Sequence, residues 1–269
     1  MSSAGVITSP NTTAPGTYTV SGTDADTFSD TGTWTFTLTV GLPNTVTVGT
    51  APRPVAVTPN GLYAYVANVT SGTVSVISTA TNTVTATVTV GTAPKGVAVT
   101  PNGLYAYVTN YSSNSVSVIS TATNTVPGAV TVGANPIGVA VTPNGLYAYV
   151  TNYGAGTVSV ISTATNTVTA TVTVGTGPYG VAVTPNGLYV YVTNSGGTTV
   201  SVISTATNAV TATVTVGTSP WGVAVTPNGA DVYVTNQGSG TVSEIATPAV
   251  GACVGAGVLG VGVVLSRGW

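Results

Sequence analysis

The sequence has no histidine and almost no charge. Its 269 residues include three Lys or Arg and five Asp or Glu, so charged residues make up 3%, against about 25% in a typical soluble domain. Ser-His-Asp and Cys-His mechanisms need a histidine base, which this chain cannot supply. Nucleic acids and anionic membranes are disfavoured as partners, because proteins bind both mainly through Lys and Arg.

Cysteine and targeting signals are equally sparse. Cys253 is the one cysteine and cannot form an internal disulfide, so the redox compartment stays open. The N-terminus, MSSAGVITSP, has neither the basic nor the apolar region of a secretory signal. The formal net charge of −2 gives little repulsion between copies, which leaves self-association open.

The C-terminus carries the longest apolar run. Residues 249–265 contain only Ala, Val, Gly, Cys and Leu, and Arg267 and Trp269 follow. The run is slightly shorter than the roughly 20 residues that span a bilayer. We favour an outer strand with a flexible end over a membrane anchor, and any membrane contact of this chain is expected only through this tail.

What the sequence does have is a repeat with a period of 42 residues. The tetrapeptide Thr-Pro-Asn-Gly recurs five times at that spacing, and a tyrosine and a glycine keep the same period. A period in the forties with four short strands per unit is typical of propeller blades. The tetrapeptides begin at Thr58, Thr100, Thr142, Thr184 and Thr226.

The pattern within one repeat predicts four strands and their order. Residues 96–100 (GVAVT) are apolar at nearly every position, as expected of a strand covered on both faces. Residues 84–90 alternate between apolar residues and threonine, which indicates one buried and one exposed face. The first strand of each repeat is therefore expected innermost and the fourth outermost. Pro127 lies in a fourth strand, and proline is tolerated in sheets at edges.

The repeat resembles a known family. The stretch GVAVTPNGLYAYVTN followed by SVSVISTATNTV is similar to the YVTN β-propeller repeat of bacterial and archaeal surface and secreted proteins, over about residues 45–247. The family commonly has Asp where this chain has Asn60 in the turn, and often has Asp after the Ile of the third strand, where this chain has Ser78. Its members usually have about seven blades. The resemblance implies an all-β propeller of four-stranded antiparallel blades.

Closure of the ring has two solutions. Residues 45–49 read as a lone fourth strand that would complete the last blade, which gives the preferred five-bladed ring. Alternatively, residues 1–40 form a degenerate sixth blade with 261–265 as its final strand, or resemble the end of an immunoglobulin-like repeat. We therefore divide the chain into an N-terminal β segment (1–44), the propeller (45–248) and an apolar tail (249–269).

Two places vary between the otherwise near-identical repeats. One follows the proline before the first strand, and the other is the loop after the second strand, which contains Tyr111 and Tyr153. Strand direction puts both at one end of the ring, called here the variable end. Basic and aromatic side chains there suit a glycan or an acidic protein partner. The residues after the proline are Arg53, Lys95, Ile137, Tyr179 and Trp221.

The remaining acidic residues and the glycosylation sequons have simpler interpretations. The cluster Asp24, Asp26 and Asp30 departs from the EF-hand pattern and is interpreted as a polar turn, so no metal or other cofactor is expected. Asp231 and Glu244 are the acids of the repeats, and we expect them to face solvent. Asn11, Asn68 and Asn110 begin N-x-S/T glycosylation sequons, a weak signal in a threonine-rich chain.

These observations favour a non-catalytic role. The expected function is a cell-surface or secreted propeller that binds a glycan or protein at the variable end, through Arg53, Lys95, Tyr111, Tyr153, Tyr179 and Trp221. The alternative is a purely structural module of an envelope or surface layer with no specific ligand.

Overall fold

The computed structural model describes residues 16–25, 31–40 and 45–247. Every regular element in these ranges is a β-strand, which confirms the all-β class. No helix of the length and apolarity needed to cross a membrane occurs in the part of the chain that the structure describes. The predictions for Asn11, Asp26, Asp30 and the C-terminal tail lie outside these residues.

The first two strands form a hairpin of their own. Strands β1 (Gly16–Ala25) and β2 (Thr31–Val40) pair antiparallel, with Gly16 opposite Val40 at the open end. The boundary between the two compact units of the chain falls between Thr47 and Val48. Whether the hairpin derives from a blade or from an immunoglobulin-like repeat stays a prediction.

Five antiparallel sheets, called blades 1 to 5, follow in chain order. Blades 1 and 2 consist of β3 (Pro52–Val57), β4 (Tyr63–Asn68), β5 (Thr73–Ser78), β6 (Thr83–Thr89), β7 (Pro94–Val99), β8 (Tyr105–Asn110), β9 (Ser115–Ser120) and β10 (Thr125–Thr131). Blades 3 to 5 consist of β11 (Pro136–Val141), β12 (Tyr147–Asn152), β13 (Thr157–Ser162), β14 (Thr167–Thr173), β15 (Pro178–Val183), β16 (Tyr189–Asn194), β17 (Thr199–Ser204), β18 (Ala209–Thr215), β19 (Pro220–Val225), β20 (Asp231–Asn236) and β21 (Thr241–Ala246).

The strand order within a blade is the predicted one. Each strand pairs with the next along the chain, and the first strands of neighbouring blades contact each other far more than the fourth strands do. The first strand is thus innermost and the fourth outermost. Pro127 lies in outermost strand β10, where the register shifts between Thr125 and Gly128. The proline-free fourth strands shift at the equivalent place, so the proline occupies an edge position that the ladder already skips.

The hydrogen bonds of the Thr-Pro-Asn-Gly turn explain why these residues recur. Thr58 donates its hydroxyl to Asn60 Oδ1 (2.7 Å), which also accepts from the Leu62 amide (3.0 Å). The Gly61 amide donates to the Thr58 carbonyl at 2.8 Å, and Gly61 has a φ of 72°. Glycine adopts this left-handed conformation without strain. Each blade therefore joins its first two strands with the same closed turn.

Neighbouring blades pack face to face. The back face of blade 1, with Tyr65, Val74 and Val76, packs against the front face of blade 2, with Val108 and Ile119. The same arrangement recurs between the other consecutive blades. Throughout, the back face of a blade is the one that carries the equivalents of Tyr65, Val74 and Val76, and the front face is the opposite one.

A hydrogen bond accompanies each of the first three packed interfaces. The buried tyrosine of one blade donates its hydroxyl to the Oδ1 of an asparagine in the outer turn of the next blade. These asparagines have φ values of 52° to 54°, a region that asparagine tolerates better than most residues. The pairs are Tyr65–Asn124 (2.9 Å), Tyr107–Asn166 (2.6 Å) and Tyr149–Asn208 (2.6 Å).

The array of blades has two open ends. The described part of blade 5 has three strands, and residues 45–49 form no strand, so the predicted five-bladed closure through Thr45–Gly49 was wrong. In every complete blade the fourth strand follows its own third strand along the chain, and among the described residues no such third strand precedes residues 45–49. Gly49 lies against the Asn68 side chain and the Thr50 amide donates to Ser71 Oγ at 2.7 Å, as Gly91 and Thr92 do in blade 2. The segment leads into its own blade.

Removal of one tyrosine hydroxyl tests the contact between blades. Tyr107→Phe is expected to destabilise the protein by about 1 kcal/mol, since it leaves the Asn166 carbonyl without its protein donor. The matched control is Tyr63→Phe, because Tyr63 lies on the back face of blade 1 like Tyr65 but is 38% exposed. Urea unfolding of both variants gives the comparison, and equal midpoints would contradict the proposed contribution.

The same tyrosines predict how stability depends on alkaline pH. Burial, with a smaller contribution from a neighbouring tyrosine, raises the pKa of Tyr107 and of Tyr149 to about 12. When the pKa of a tyrosine is higher in the folded state than in the unfolded state, its contribution to the free energy of unfolding is complete below about pH 10. This contribution is lost as the pH rises from about 10 to about 12. The urea midpoint should therefore fall across this window. Tyrosinate absorbance should show that some tyrosines ionise well above pH 10, and the amplitude of this late phase should be smaller in Tyr107→Phe. A single transition near pH 10 would refute the raised pKa of the buried tyrosines.

Candidate functional site

The two variable segments lie together, as strand direction predicts. The loop after the second strand donates backbone hydrogen bonds to the segment before the first strand of the same blade. The Tyr111 amide donates to the Ala93 carbonyl and the Tyr153 amide to the Asn135 carbonyl, both at 3.0 Å. The variable end is thus a real structural feature, held together blade by blade.

A buried asparagine donates its Nδ2 to two hydroxyl groups at this end in every blade. In blades 2 and 4 it also accepts from a glycine amide. Asn110, at the end of YVTN, donates its Nδ2 to Ser115 Oγ (3.1 Å) and Ser117 Oγ (3.0 Å) and accepts from the Gly91 amide (3.1 Å). A Cβ on Gly91 would come within 2.5 Å of the Asn110 side chain, which explains the periodic glycine. Asn68 and Asn110 are fully buried, so their sequons are not accessible for glycosylation in the folded protein.

A cavity of about 310 Å³ opens among the first strands of the blades. It is lined by the variable residues of blades 2 to 5 and by the Gly-Val pairs that follow them. Lys95 is the one charged residue among the described side chains that line it. The variable residues in the lining are Lys95, Ile137, Tyr179 and Trp221.

The threonine of YVTN sets the spacing of these residues around the cavity. Thr109 donates its hydroxyl to the carbonyl of Ile137 in the next blade, at 2.7 Å. Thr151 and Thr193 do the same, at 2.8 Å, to the carbonyls of Tyr179 and Trp221. The backbone of Ile137, Tyr179 and Trp221 is therefore fixed by the preceding blade, while their side chains stay free to differ. Blade 1 has Ala67 in place of this threonine, so Lys95 lacks the bond.

The two aromatic residues of the cavity stack on each other. The ring centroids of Tyr179 and Trp221 are 4.4 Å apart with an interplanar angle of 11°. Tyr179 is half-buried and Trp221 remains 38% exposed. Stacking of aromatic rings stabilises such a pair by about 0.5–1.5 kcal/mol beyond area burial, so it holds a flat apolar surface at the cavity.

Lys95 is placed by an aromatic ring of the adjacent loop. Its Nζ lies 3.3 Å from the centroid of the Tyr111 ring, in the geometry of a cation–π contact. Burial, and to a smaller extent the nearby Arg53 guanidinium, lowers the pKa of Lys95 below its usual 10.5. The cation thus sits in a partly dehydrated setting in which an anionic ligand group would be favoured.

The remaining predicted site residues lie further from the cavity. Arg53 of blade 1 is exposed and does not line the cavity. The residue of blade 1 that lines the cavity is Pro54. Tyr153 is 39% exposed and lies over Gly177 of the next blade. Of the six predicted residues, the structure brings Lys95, Tyr111, Tyr179 and Trp221 to the cavity or its edge, as two contacting pairs.

Sequence reasoning missed the apolar part of the lining. Val97, Val139, Val181 and Val223 contribute to the cavity wall, although their identity in every repeat suggested core residues alone. The sequence feature that could have identified these valines is the glycine that precedes each of them. A Cβ on Gly138 would come within 2.5 Å of the Tyr179 carbonyl, so these glycines allow neighbouring first strands to approach closely.

The acids of the repeats lie elsewhere. Asp231 and Glu244 both occupy the back face of blade 5, with Asp231 opposite Ala246 and Tyr233 opposite Glu244 in the β20–β21 ladder. Glu244 is exposed and Asp231 half-buried. Within residues 16–25, 31–40 and 45–247, no group of three or more His, Cys, Asp or Glu side chains is arranged to hold a metal ion.

Comparison with known proteins supports the propeller class. Residues 16–131 match the family described as "Lactonase, 7-bladed beta-propeller". The matched range begins at the N-terminal hairpin and ends in blade 2. No curated protein sequence matches this chain.

Solved structures share the fold at low identity. Hydrazine synthase of Kuenenia stuttgartiensis is 24% identical with a TM-score of 0.65, over 74% of this chain and 68% of that one. A Bacteroides uniformis protein provisionally assigned as a 6-phosphogluconolactonase is 20% identical with a TM-score of 0.67, over 86% and 74%. The Swd1 propeller of Myceliophteria thermophila is 15% identical with a TM-score of 0.67, over 78% and 70%. At these identities the likeness concerns the fold alone.

A glycine substitution tests how the variable end is held. Gly91→Ala is expected to destabilise the protein by about 2 kcal/mol or more, because the new methyl group overlaps the buried Asn110 side chain. Gly128→Ala is the matched control, since a Cβ there would meet no atom within 4 Å. Thermal unfolding of both variants gives the answer, and similar losses in the two would show that the Gly–Asn contact does not matter.

Proposed function

We propose that the chain is a non-catalytic binding module that takes a glycan, or a sugar-bearing protein, at the cavity of the variable end. The observation that carries the proposal is the parallel stack of Tyr179 and Trp221, which presents an aromatic surface at the edge of a cavity of about 310 Å³. This volume falls at the lower end of the range of small-molecule pockets, about 300–1,000 Å³.

The chemistry of the cavity fits a sugar ring with an acidic group. The C–H face of a pyranose packs on aromatic rings, and the indole N–H and the phenol O–H offer donors at their edges. Lys95, held over Tyr111, supplies the one charge in the described lining. An acidic glycan or the carboxylates of a protein partner would satisfy both features, in agreement with the expected ligand class.

Several features support binding without catalysis. The described lining of the cavity contains no carboxylate and no histidine, and the acids of the repeats lie on the back face of blade 5. General acid–base catalysis needs such a group within reach of the substrate. The resemblance to YVTN-repeat proteins, together with a surface that is polar through Thr, Ser and Asn, supports a cell-surface or secreted setting as part of the proposal.

A glycan array followed by titration of the strongest hit tests this function. Trp221→Ala and Tyr179→Ala should each weaken binding about tenfold or more, the equivalent of losing roughly 1.4 kcal/mol. Leu104→Ala is the matched control, because Leu104 is 54% exposed beside the Thr-Pro-Asn-Gly turn, at the other end of the strands. It should bind as the unaltered protein does.

Two results would refute the proposal. One is the absence of binding to neutral and acidic glycans and to glycoproteins, which would favour the purely structural role in an envelope or surface layer. The other is binding that survives both aromatic substitutions, which would move the site away from the cavity.

A further inference from the structure

The two ends of the array expose faces that are buried everywhere else. The front faces of blades 2 to 5 are each covered by the back face of the blade before. Among blades 1 to 5, no blade covers the front face of blade 1 or the back face of blade 5. Val55 and Val57 are 60% and 56% exposed on the first, and Tyr233 and Val242 are 44% and 62% exposed on the second.

The open front face of blade 1 is chemically the same as the covered ones. Its residues are identical to those that form the front face of blade 2 in the packed interface. Nothing polar replaces them at this end. The residues are Val55, Val57, Ala64, Val66, Ile77 and Val84, which correspond to Val97, Val99, Ala106, Val108, Ile119 and Val126.

The polar half of the contact between blades is also present at both ends. Asn124 of blade 2 accepts a hydrogen bond from Tyr65 in the packed interface. Its equivalent in blade 1 is Asn82, which is exposed and has the same backbone conformation, with a φ of 53°. Tyr233 is the blade 5 equivalent of the donor. Thr235 is exposed in blade 5, where its equivalents donate to the next blade. The two faces therefore carry complementary donors and acceptors.

Blade 5 differs from the other blades at two back-face positions. Glu244 stands where the other blades have Val76, Val118, Val160 and Val202, which are 0% to 5% exposed. Asp231 stands where they have a half-buried tyrosine. A carboxylate buried against valines without a partner carries a large desolvation cost. These two substitutions therefore weaken any packing of the blade 5 back face.

We propose that the two open faces are the halves of one head-to-tail interface between copies of this chain, which Glu244 and Asp231 keep weak. A second copy is the occupant because one chain carries both halves at opposite ends, and because each chain already uses the same contact between its consecutive blades. Such a heterologous contact extends from copy to copy. Polar residues on the terminal unit are how repeat proteins limit this growth.

Restoring the repeat residues tests the interface. The double variant Asp231→Tyr/Glu244→Val should associate at least about tenfold more tightly than the unaltered protein, measured by sedimentation velocity over a wide range of concentrations. Glu244→Gln, which removes the charge but keeps the polar amide, should lie between the two. None of these positions lines the cavity, so the outcome is independent of the proposed ligand binding.

Two controls separate this interface from general stickiness. Val57→Asp in the double-variant background should abolish the added association, and because Val57 is mostly exposed the fold should survive. Thr171→Val adds an apolar residue at an exposed position of outermost strand β14, in interior blade 3, and should not promote association. Tyrosinate titration of each variant verifies that the buried tyrosines are still packed.

Three outcomes would overturn the proposal. The double variant could keep the mass and unfolding midpoint of the unaltered protein. It could keep the mass but unfold at a higher midpoint, which would mean that the faces meet within one chain or that another segment covers them. Finally, Val57→Asp could leave the added association unchanged, which would place the contact elsewhere.

Discussion

Everything in this protein depends on the contact between the back face of one blade and the front face of the next. A small sheet cannot bury both faces by itself, so each blade is stable only when its neighbours cover it. Buried side chains such as Tyr65, Val74 and Val76 supply the apolar area, and the tyrosine hydroxyl reaches the asparagine of the adjacent blade. Because the contact recurs every 42 residues, the sequence has little freedom at these positions.

The same contact explains why the variable end can vary. The threonine hydroxyl of one blade holds the carbonyl of the variable residue in the next, and the buried asparagine holds the loop beside it. The backbone at positions such as Tyr179 and Trp221 is therefore set by residues that repeat, and not by the side chains themselves. A frame that holds Ile, Tyr and Trp at one position in the same way gives a pre-organised surface whose chemistry is free to change.

Much of this could be predicted from the sequence, because a period of 42 residues constrains topology directly. The alternation of residues 84–90 identified the outermost strand, and strand direction placed Lys95 and Tyr111 at one end. Ring closure could not be predicted, since the strand-like pattern of residues 45–49 carries no information on which third strand, if any, they pair with, and the complete blades take the fourth strand from the same repeat. The burial of Asn68 and Asn110 was equally hidden, because their bonds to serine and threonine hydroxyls depend on the three-dimensional loop.

In a chain of near-identical repeats, the positions at which one repeat differs from the others are informative. What such a difference indicates depends on where the residue lies in the blade. Differences at the variable end fall where the side chain is free to differ, so they change the chemistry of the cavity lining. Asp231 and Glu244 fall instead on a face that every other blade buries, where a charge changes what can pack. Blades 1 and 5 each leave one such face without a neighbouring blade. The few charges of this protein are therefore most informative where they interrupt the blade-to-blade contact.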